Sequence, residues 1–311
     1  MSAHELPAFV SAGEALTDLI RAGDDHWTSR TGGAGLNVAR AMARLGVPSA
    51  FAGAVSADVF GKALVASAQA AGLDMRFMQS NDQPPLLAVV HETSPPAYFF
   101  IGNDSADLQF QPEQLPAGWE GAAHWGHFGG ISLTRQPLAA RLVTLAARLK
   151  SQGVRISYDP NFRNLMGPSY DVVLANMARL ADVIKVSDED LRGLFRTTDE
   201  GAALARLRSL NPQAAILLTR GADGAEYHVG TERWRALVPA IQVVDTIGAG
   251  DASIVALVYS RMLYPHAANT AQLRFAVAAG AVACTRAGAV PPTSAEVATL
   301  ADSVIIAAIE D

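Results

Sequence analysis

Apolar residues recur at helical spacing from Leu36 to Leu45, with Asn37 near the start and Gly46 just past the end, the pattern of a capped helix entered from a glycine turn. The period then changes. Ala50 to Val55 is a short apolar run of strand length, and Phe60 to Ala71 is a second helical pattern closed by Gly72. After residue 120 the alternation resumes. Strands are expected at His124 to Phe128, Val154 to Tyr158, Val183 to Val186 and Ala215 to Thr219, with helices over Pro137 to Lys150, Val172 to Leu180 and Gly201 to Leu210 between them. Apolar strands separated by helices imply βαβ units with right-handed crossovers. The expected fold is therefore α/β, a doubly wound and mostly parallel sheet.

Two stretches break this rhythm, residues 14–30 and 84–110. In the second, "LLAVVHE" and "AYFFIGND" flank the turn-forming cluster Thr93-Ser-Pro-Pro96, which predicts a hairpin. Both stretches are read as parts of a small β lid over the sheet edge, whose exposed strands make a lid-to-lid homodimer an expectation. With no internal repeat, low-complexity tract or linker, residues 1–311 are expected to form one domain.

Composition narrows the function classes. Half of the 311 residues are hydrophobic and 17% are charged, ample material for a compact core. The net charge of −6 comes without any Lys/Arg block interleaved with aromatics, so nucleic acid is not the expected partner. Cys284 is the only cysteine, which excludes an internal disulfide and a cysteine-based zinc cluster and fits a buried thiol in a reducing cytosol. "MSAHELPAFV" lacks a basic n-region and an apolar h-region, and no uninterrupted apolar run reaches the ~18 residues that span a bilayer. A cytoplasmic location is expected.

The candidate chemistry centres on "VVDTIGAGDAS", Val243 to Ser253. A strand over Ile241 to Val244 is expected to end at Asp245, and Gly248-Ala249-Gly250 leaves the backbone bare where a new helix begins. Free N–H groups and the positive helix end would converge there on phosphate oxygens, and Asp251 in the first turn would accept a proton from a hydroxyl beside that cradle. The plainer reading is a capped turn whose acid complements the helix dipole, and the stretch alone leaves both open. It is not a P-loop, because Gly61-Lys62 has Ser56 where the first glycine belongs and Ala63 where the hydroxyl belongs.

Three further segments carry chemistry. "GEALTD" (Gly13 to Asp18) and "TGGAGLNVARAMARLG" (Thr31 to Gly46) offer a glycine pair, Gly32 and Gly33, with Asp18 and Asn37 suited to vicinal hydroxyls; a lid turn with an ordinary cap fits the spacing as well. "SYDPNFR" ends a buried strand, where ligands of open α/β sheets gather, and supplies Arg163. "LLTRGADG" offers Thr219, Gly221 and Gly224 as a nucleotide wall or as a plain hairpin turn. His124 and His127 stand three apart on a strand, on opposite faces, so a shared metal is not expected.

These segments together resemble one family. "DTIGAGD" resembles the D-T-x-G-A-G-D signature of the ribokinase-like (pfkB-type) sugar kinases, and "TGGAGLNVARAMARLG" resembles their G-G-x-x-x-N-x-A-x-x-x-A-x-L-G signature. "GGISL", "SYDPNFR", "ADVIKVSDEDL", "LLTRGADG" and "CTRAGAVPPT" are similar in order and spacing to the fructokinase branch. The resemblance implies that Asp251 is the base and that the amides of Gly248, Ala249 and Gly250 form the anion hole. It implies a sugar held by Asp18, Gly32, Gly33, Asn37 and Arg163. ATP would lie against Thr219, Gly221 and Gly224, with Lys185 and Ser187 near its phosphates and Mg²⁺, and a monovalent cation such as K⁺ belongs to the same expectation.

Departures matter. Ser187-Asp188-Glu189-Asp190 replaces the usual Asn-x-x-Glu, which leaves Asp190 or Glu189 to organise the waters of Mg²⁺. Gly102 falls where relatives place Arg, which favours a neutral sugar over a carboxylate. Val277 replaces an Asn near the adenine, and Ser253 a Phe after the base. The expected function is an ATP-dependent kinase for a primary hydroxyl of a neutral sugar, fructose first. Ketodeoxygluconate kinase, ribokinase, nucleoside kinase and a sugar-binding protein with impaired catalysis are the alternatives.

Overall fold

The computed structural model describes residues 6–93 and 96–309. The first half contains β1 (Phe9–Ala12), β2 (Leu16–Arg21), β3 (Trp27–Gly32), α1 (Ala34–Arg44), β4 (Ser49–Ser56), α2 (Val59–Ala70) and β5 (Met78–Asn81). Then come β6 (Leu87–Thr93), β7 (Pro96–Ile101), α3 (Trp119–Ala122), β8 (Trp125–Gly129), α4 (Leu138–Ser151) and β9 (Arg155–Asp159). They are followed by α5 (Asp171–Leu180), β10 (Val183–Ser187), α6 (Asp188–Phe195), α7 (Glu200–Leu210), β11 (Ala215–Thr219), β12 (Ala225–Val229) and β13 (Glu232–Leu237). The chain ends with α8 (Ala249–Leu263), α9 (Asn269–Cys284), α10 (Ser294–Ala301) and β14 (Ile305–Ala308).

The larger sheet runs β14-β13-β12-β11-β10-β9-β8-β1-β4-β5. It is parallel from β11 to β5 and antiparallel at β12, β13 and β14. Helices cover both faces. Val10, Phe128, Ile156, Ile184 and Leu218 meet Leu142 and Leu145 of α4 and Met177 of α5, while Phe9, Trp125, Val183 and Leu217 meet Val255 of α8 and Ala279 of α9. Burial on both faces is why these strands read as unbroken apolar runs. The strand order reverses at β1, between β8 and β4, and the loops beyond the C-terminal ends of these strands are where such sheets gather ligands.

The second sheet, in the order β3-β2-β6-β7, is built from the two stretches that broke the rhythm. β6 and β7 pair antiparallel, as the hairpin pattern predicts; Ser94 and Pro95 of its turn lie outside the described residues. Leu16, Leu86, Ala88 and Ile131 form a small core of their own, with Phe100 against it. Past β7 the chain leaves this sheet before residue 110, and Leu108 and Phe110 join the large core.

Two local expectations fail. Residues 241–244 form no strand: Val243 and Val244 are more than half exposed, and the Val244 amide donates to Cys284 O at 2.8 Å instead of to a neighbouring strand. A β-branched run favours extended backbone but makes a strand only where an edge is open to it, and the edge beyond β13 is taken by β14. Nor does Asn37 cap α1. Gly33 is the N-cap, at φ 99°, and Asn37 lies one turn inside with its side chain turned to α8. The antiparallel β12–β13 hairpin is an element the periodicity does not reveal.

Candidate active site

Asp251 occupies the first turn of α8, after the N-cap Gly248 in a left-handed conformation (φ 83°). A Cβ at 248 would press on Ala289 Cα at 3.1 Å, so the turn requires glycine for space as well as for φ. Asn37 Nδ2 donates to Asp251 Oδ2 at 3.2 Å, and Arg40 Nη1 donates to Asn37 Oδ1 at 3.5 Å, which orients the amide. Asp251 borders a narrow hollow shared with Asn37, Gly248 and Val290. Burial pushes its pKa up to about 6, helped by the nearby Asp159 carboxylate and opposed by Lys185, Asn37 and Arg163. Such a carboxylate is a stronger base than a solvated one and still ionised at neutral pH.

The amides at the mouth of α8 are not equivalent. Ala249 N already donates to Thr246 O at 3.2 Å, whereas Gly248 N and Gly250 N have no protein acceptor among the described residues. Bare donors at a helix N-terminus favour an anion.

Lys185 lies directly beneath. Its ammonium is 3.0 Å from Asp159 Oδ2 and 4.0 Å from Asp190 Oδ2, and a Cβ on Gly250 would stand 3.0 Å from Nζ. At 5% exposure the side chain is buried, and its charge lies directly behind the Gly250 end of α8. Asp190 is held by the backbone. Oδ2 accepts from Ser187 N at 2.7 Å in a capping box, with Ser187 Oγ accepting from Asp190 N, and Oδ1 accepts from Phe162 N at 2.7 Å. Glu189, one position earlier, is exposed.

Across the mouth stands Asp18 on β2. A Cβ at 32 would collide with Asp18 Oδ2, and one at 33 would come within 2.8 Å of Ala15 Cα, so the Gly32-Gly33 pair is what brings β3 onto β2 here. Burial raises the pKa of Asp18 to about 6 against the pull of Arg163 and Arg30. Arg163 folds back on its own loop, Nη1 donating to Asn161 Oδ1 and Phe162 O at 2.7 Å, while its guanidinium lies 5.8 Å from the Tyr98 ring of β7. Arg163 acts electrostatically on both Asp18 and Asp251, which ties the carboxylate of β2 to the mouth of α8.

The remaining positions distribute differently. Thr219, Gly221 and Gly224 shape the β11–β12 connection, an antiparallel hairpin with Arg220 N bonded to Gly224 O at 2.8 Å. Val277 is 6% exposed inside α9 and belongs to the core. Ser253 donates back to Ala249 O and sits against Gly280. At Gly102 the structure supplies what sequence reasoning missed: Arg135 donates to Gly102 O and to Ser105 Oγ and pairs with buried Asp107. A cation therefore does approach position 102, from the turn after β8, with its charge balanced. Its residue stands just beyond the "GGISL" motif. His127 is buried with Nδ1 3.0 Å from Ser157 Oγ, and burial pushes its pKa down to about 3, so it is a neutral core residue; His124 is exposed.

A catalytic-type carboxylate, free helix-end amides and a polar mouth at the C-terminal edge of a doubly wound sheet define a phosphotransferase with an alcohol acceptor. The family description "pfkB family carbohydrate kinase" matches residues 8–296, and the chain belongs to that family. It is 31% identical to probable fructokinase-5 of Arabidopsis thaliana over 96% of this chain and 98% of the relative. It is 30% identical to the fructokinase of Klebsiella pneumoniae over 89% and 93%. The ATP-bound fructokinase of Xylella fastidiosa superposes with a TM-score of 0.87 at 29% identity, covering 96% of this chain and 99% of that one. The aminoimidazole riboside kinase of Salmonella enterica does so at 0.82 and 27%, covering 94% and 99%. The protein is a sugar kinase of ribokinase-like fold.

Proposed function

We propose that this kinase transfers the γ-phosphoryl group of ATP to the primary hydroxyl of a neutral ketohexose, fructose being the leading candidate. The observation that carries the reading is the desolvated Asp251 carboxylate beside two unpartnered amides of its own helix end. The acceptor hydroxyl gives its proton to Asp251 as its oxygen bonds phosphorus and the bond from phosphorus to the ADP oxygen breaks. Gly248 N and Gly250 N take up the charge that develops on the phosphoryl oxygens. Asp18 accepts hydrogen bonds from sugar hydroxyls, and Arg163 donates from the side of the lid. The fructokinase names of the relatives support fructose, as does the cation near position 102, already neutralised by Asp107 and so without charge to spare for a sugar acid.

The four-stranded sheet serves as the lid of a single domain and excludes water, which competes with the sugar for the phosphoryl group. Mg²⁺ arriving with ATP would supply charge neutralisation at its phosphates. Of the two acids near the end of β10, Asp190 has one acceptor site on each oxygen taken by a backbone amide, whereas Glu189 is exposed, which supports Glu189 as the one that would hold the ion through water. A screen of ADP release across neutral sugars, sugar acids and nucleosides tests the assignment. Turnover confined to a neutral ketohexose is the expected result, and preference for a sugar acid or a nucleoside overturns it.

A further inference from the structure

Arg30 belongs to β3 of the lid, yet its guanidinium reaches the body of the protein at the mouth of α8. Nη1 stands 4.0 Å from Asp245 Oδ2. That oxygen already accepts the Gly288 amide at 2.8 Å, while Oδ1 accepts the Ile247 amide at 3.1 Å. Gly288, at φ +75°, leaves bare space for the guanidinium: a Cβ there would lie 3.1 Å from Nη1. The next residue, Ala289, is the one packed against Gly248. One residue of loop therefore separates Arg30 from the amide cradle, and its charge is also felt by Asp18 on the sugar side.

The guanidinium is not consumed by the fold. It is 49% exposed and, among the described residues, makes no hydrogen bond, so its five N–H donors are unspent. Arg21 of the lid, and Arg135 and Arg163 near it, each spend donors on protein oxygens. Asp245 comes no closer than 4.0 Å, and an amide already occupies one acceptor site on each of its oxygens. A fork of donors beside bare amides matches the planar oxygens of a phosphoryl group.

We propose that Arg30 is a catalytic residue carried by the lid, which contacts the γ-phosphoryl group of the nucleoside triphosphate when the lid is down. This inference rests on the kinase reading above. Arg30 donates N–H bonds to the equatorial oxygens and neither gains nor loses a proton. The acceptor oxygen bonds phosphorus, ADP leaves, and the hydroxyl proton goes to Asp251, as before. The contact makes transfer dependent on a closed lid.

The test compares wild type with Arg30→Ala and Arg30→Lys, after melting curves establish that the exposed substitution leaves the fold intact. Arg30→Ala is expected to lower kcat by about 10-fold or more, to recover part of it on addition of millimolar guanidinium chloride, and to keep its sugar affinity. Arg30→Lys is expected to fall between. In calorimetry with sugar present, Arg30→Ala is also expected to lose affinity for a non-hydrolysable ATP analogue while holding ADP as wild type does. Unchanged kcat, or equal losses for the analogue and ADP, overturns the proposal. A wild type that binds the analogue but phosphorylates no sugar would instead sink the kinase reading, and the affinity comparison then decides the role of Arg30 by itself.

Discussion

Replacing Asp251 by Asn is expected to abolish turnover and, at the same time, to stabilise the protein. The carboxyl has its pKa lifted from an ordinary 3.8 to about 6, chiefly by burial. A tenfold change in proton affinity is about 1.4 kcal/mol, so keeping the group ionised at pH 8 disfavours the fold by about 3 kcal/mol at most. Its partial exposure lowers this to about 1–2 kcal/mol. Asn is nearly isosteric, and its Oδ1 can still accept from Asn37 Nδ2, so the variant sheds the desolvation penalty without opening a cavity. The sign follows from linkage. A carboxyl whose folded pKa is raised favours the folded state while protonated, and that advantage is lost as pH rises from about 4 through 6. Melting curves of the two proteins should nearly coincide at pH 4 and separate by about 2–3 °C in favour of Asp251→Asn at pH 8. A variant no more stable than wild type at pH 8 would refute the burial argument. Near-normal turnover would remove Asp251 as the base.

The same pKa values set the pH profile: kcat/KM for the sugar should rise through about pH 6 with a slope approaching two, because Asp18 and Asp251 both ionise there, and Asp18→Asn should reduce the slope to one. Gly250→Ala drives a methyl toward Lys185 Nζ, 3.0 Å away, and should lower stability by about 1–3 kcal/mol in urea titrations together with kcat. Glu189→Gln should raise the Mg²⁺ concentration for half-maximal turnover about tenfold with the melting temperature unchanged, whereas Asp190→Ala, which strips the α6 cap and the Phe162 amide of their acceptor, should lower the melting temperature first.

What the sequence makes legible here depends on whether a signal is local. The parallel strands β4, β8, β9, β10 and β11 are apolar on both faces and flanked by helices, so their runs are readable one at a time. β12 and β13 are not, because Glu226, His228, Arg233 and Arg235 interrupt them; Glu226 is bound to His228 two residues along its own strand and to Arg220 in the turn before it, so polar partners occupy positions where the pattern would need apolar ones. Val243 and Val244 carry the strand signal and lack the neighbour that would use it. In the site, the glycine pair, Asn37 and the Gly248–Asp251 turn lie in contiguous signatures, so they are readable from spacing. The pairing of Lys185 with Asp159 needs the register that sets Ile184 beside Tyr158, and the approach of Arg135 to Gly102 spans a stretch of chain that includes a 3₁₀ turn and a strand. Neither is written in spacing.

The small core of the four-stranded sheet, Leu16, Leu86, Ala88 and Ile131 with Phe100 alongside, stands apart from the three larger clusters that hold the body together. So few buried side chains give this sheet a local opening free energy well below that of global unfolding, and its backbone amides should exchange with deuterium long before those of β9 or β10. Natural drift can therefore reshape the acceptor end of the cleft through residues 16–32 and 87–101 while the phosphate end, anchored in α8 and α9, is left untouched. Diversification of substrate within one scaffold is built into the separation of these two folding units.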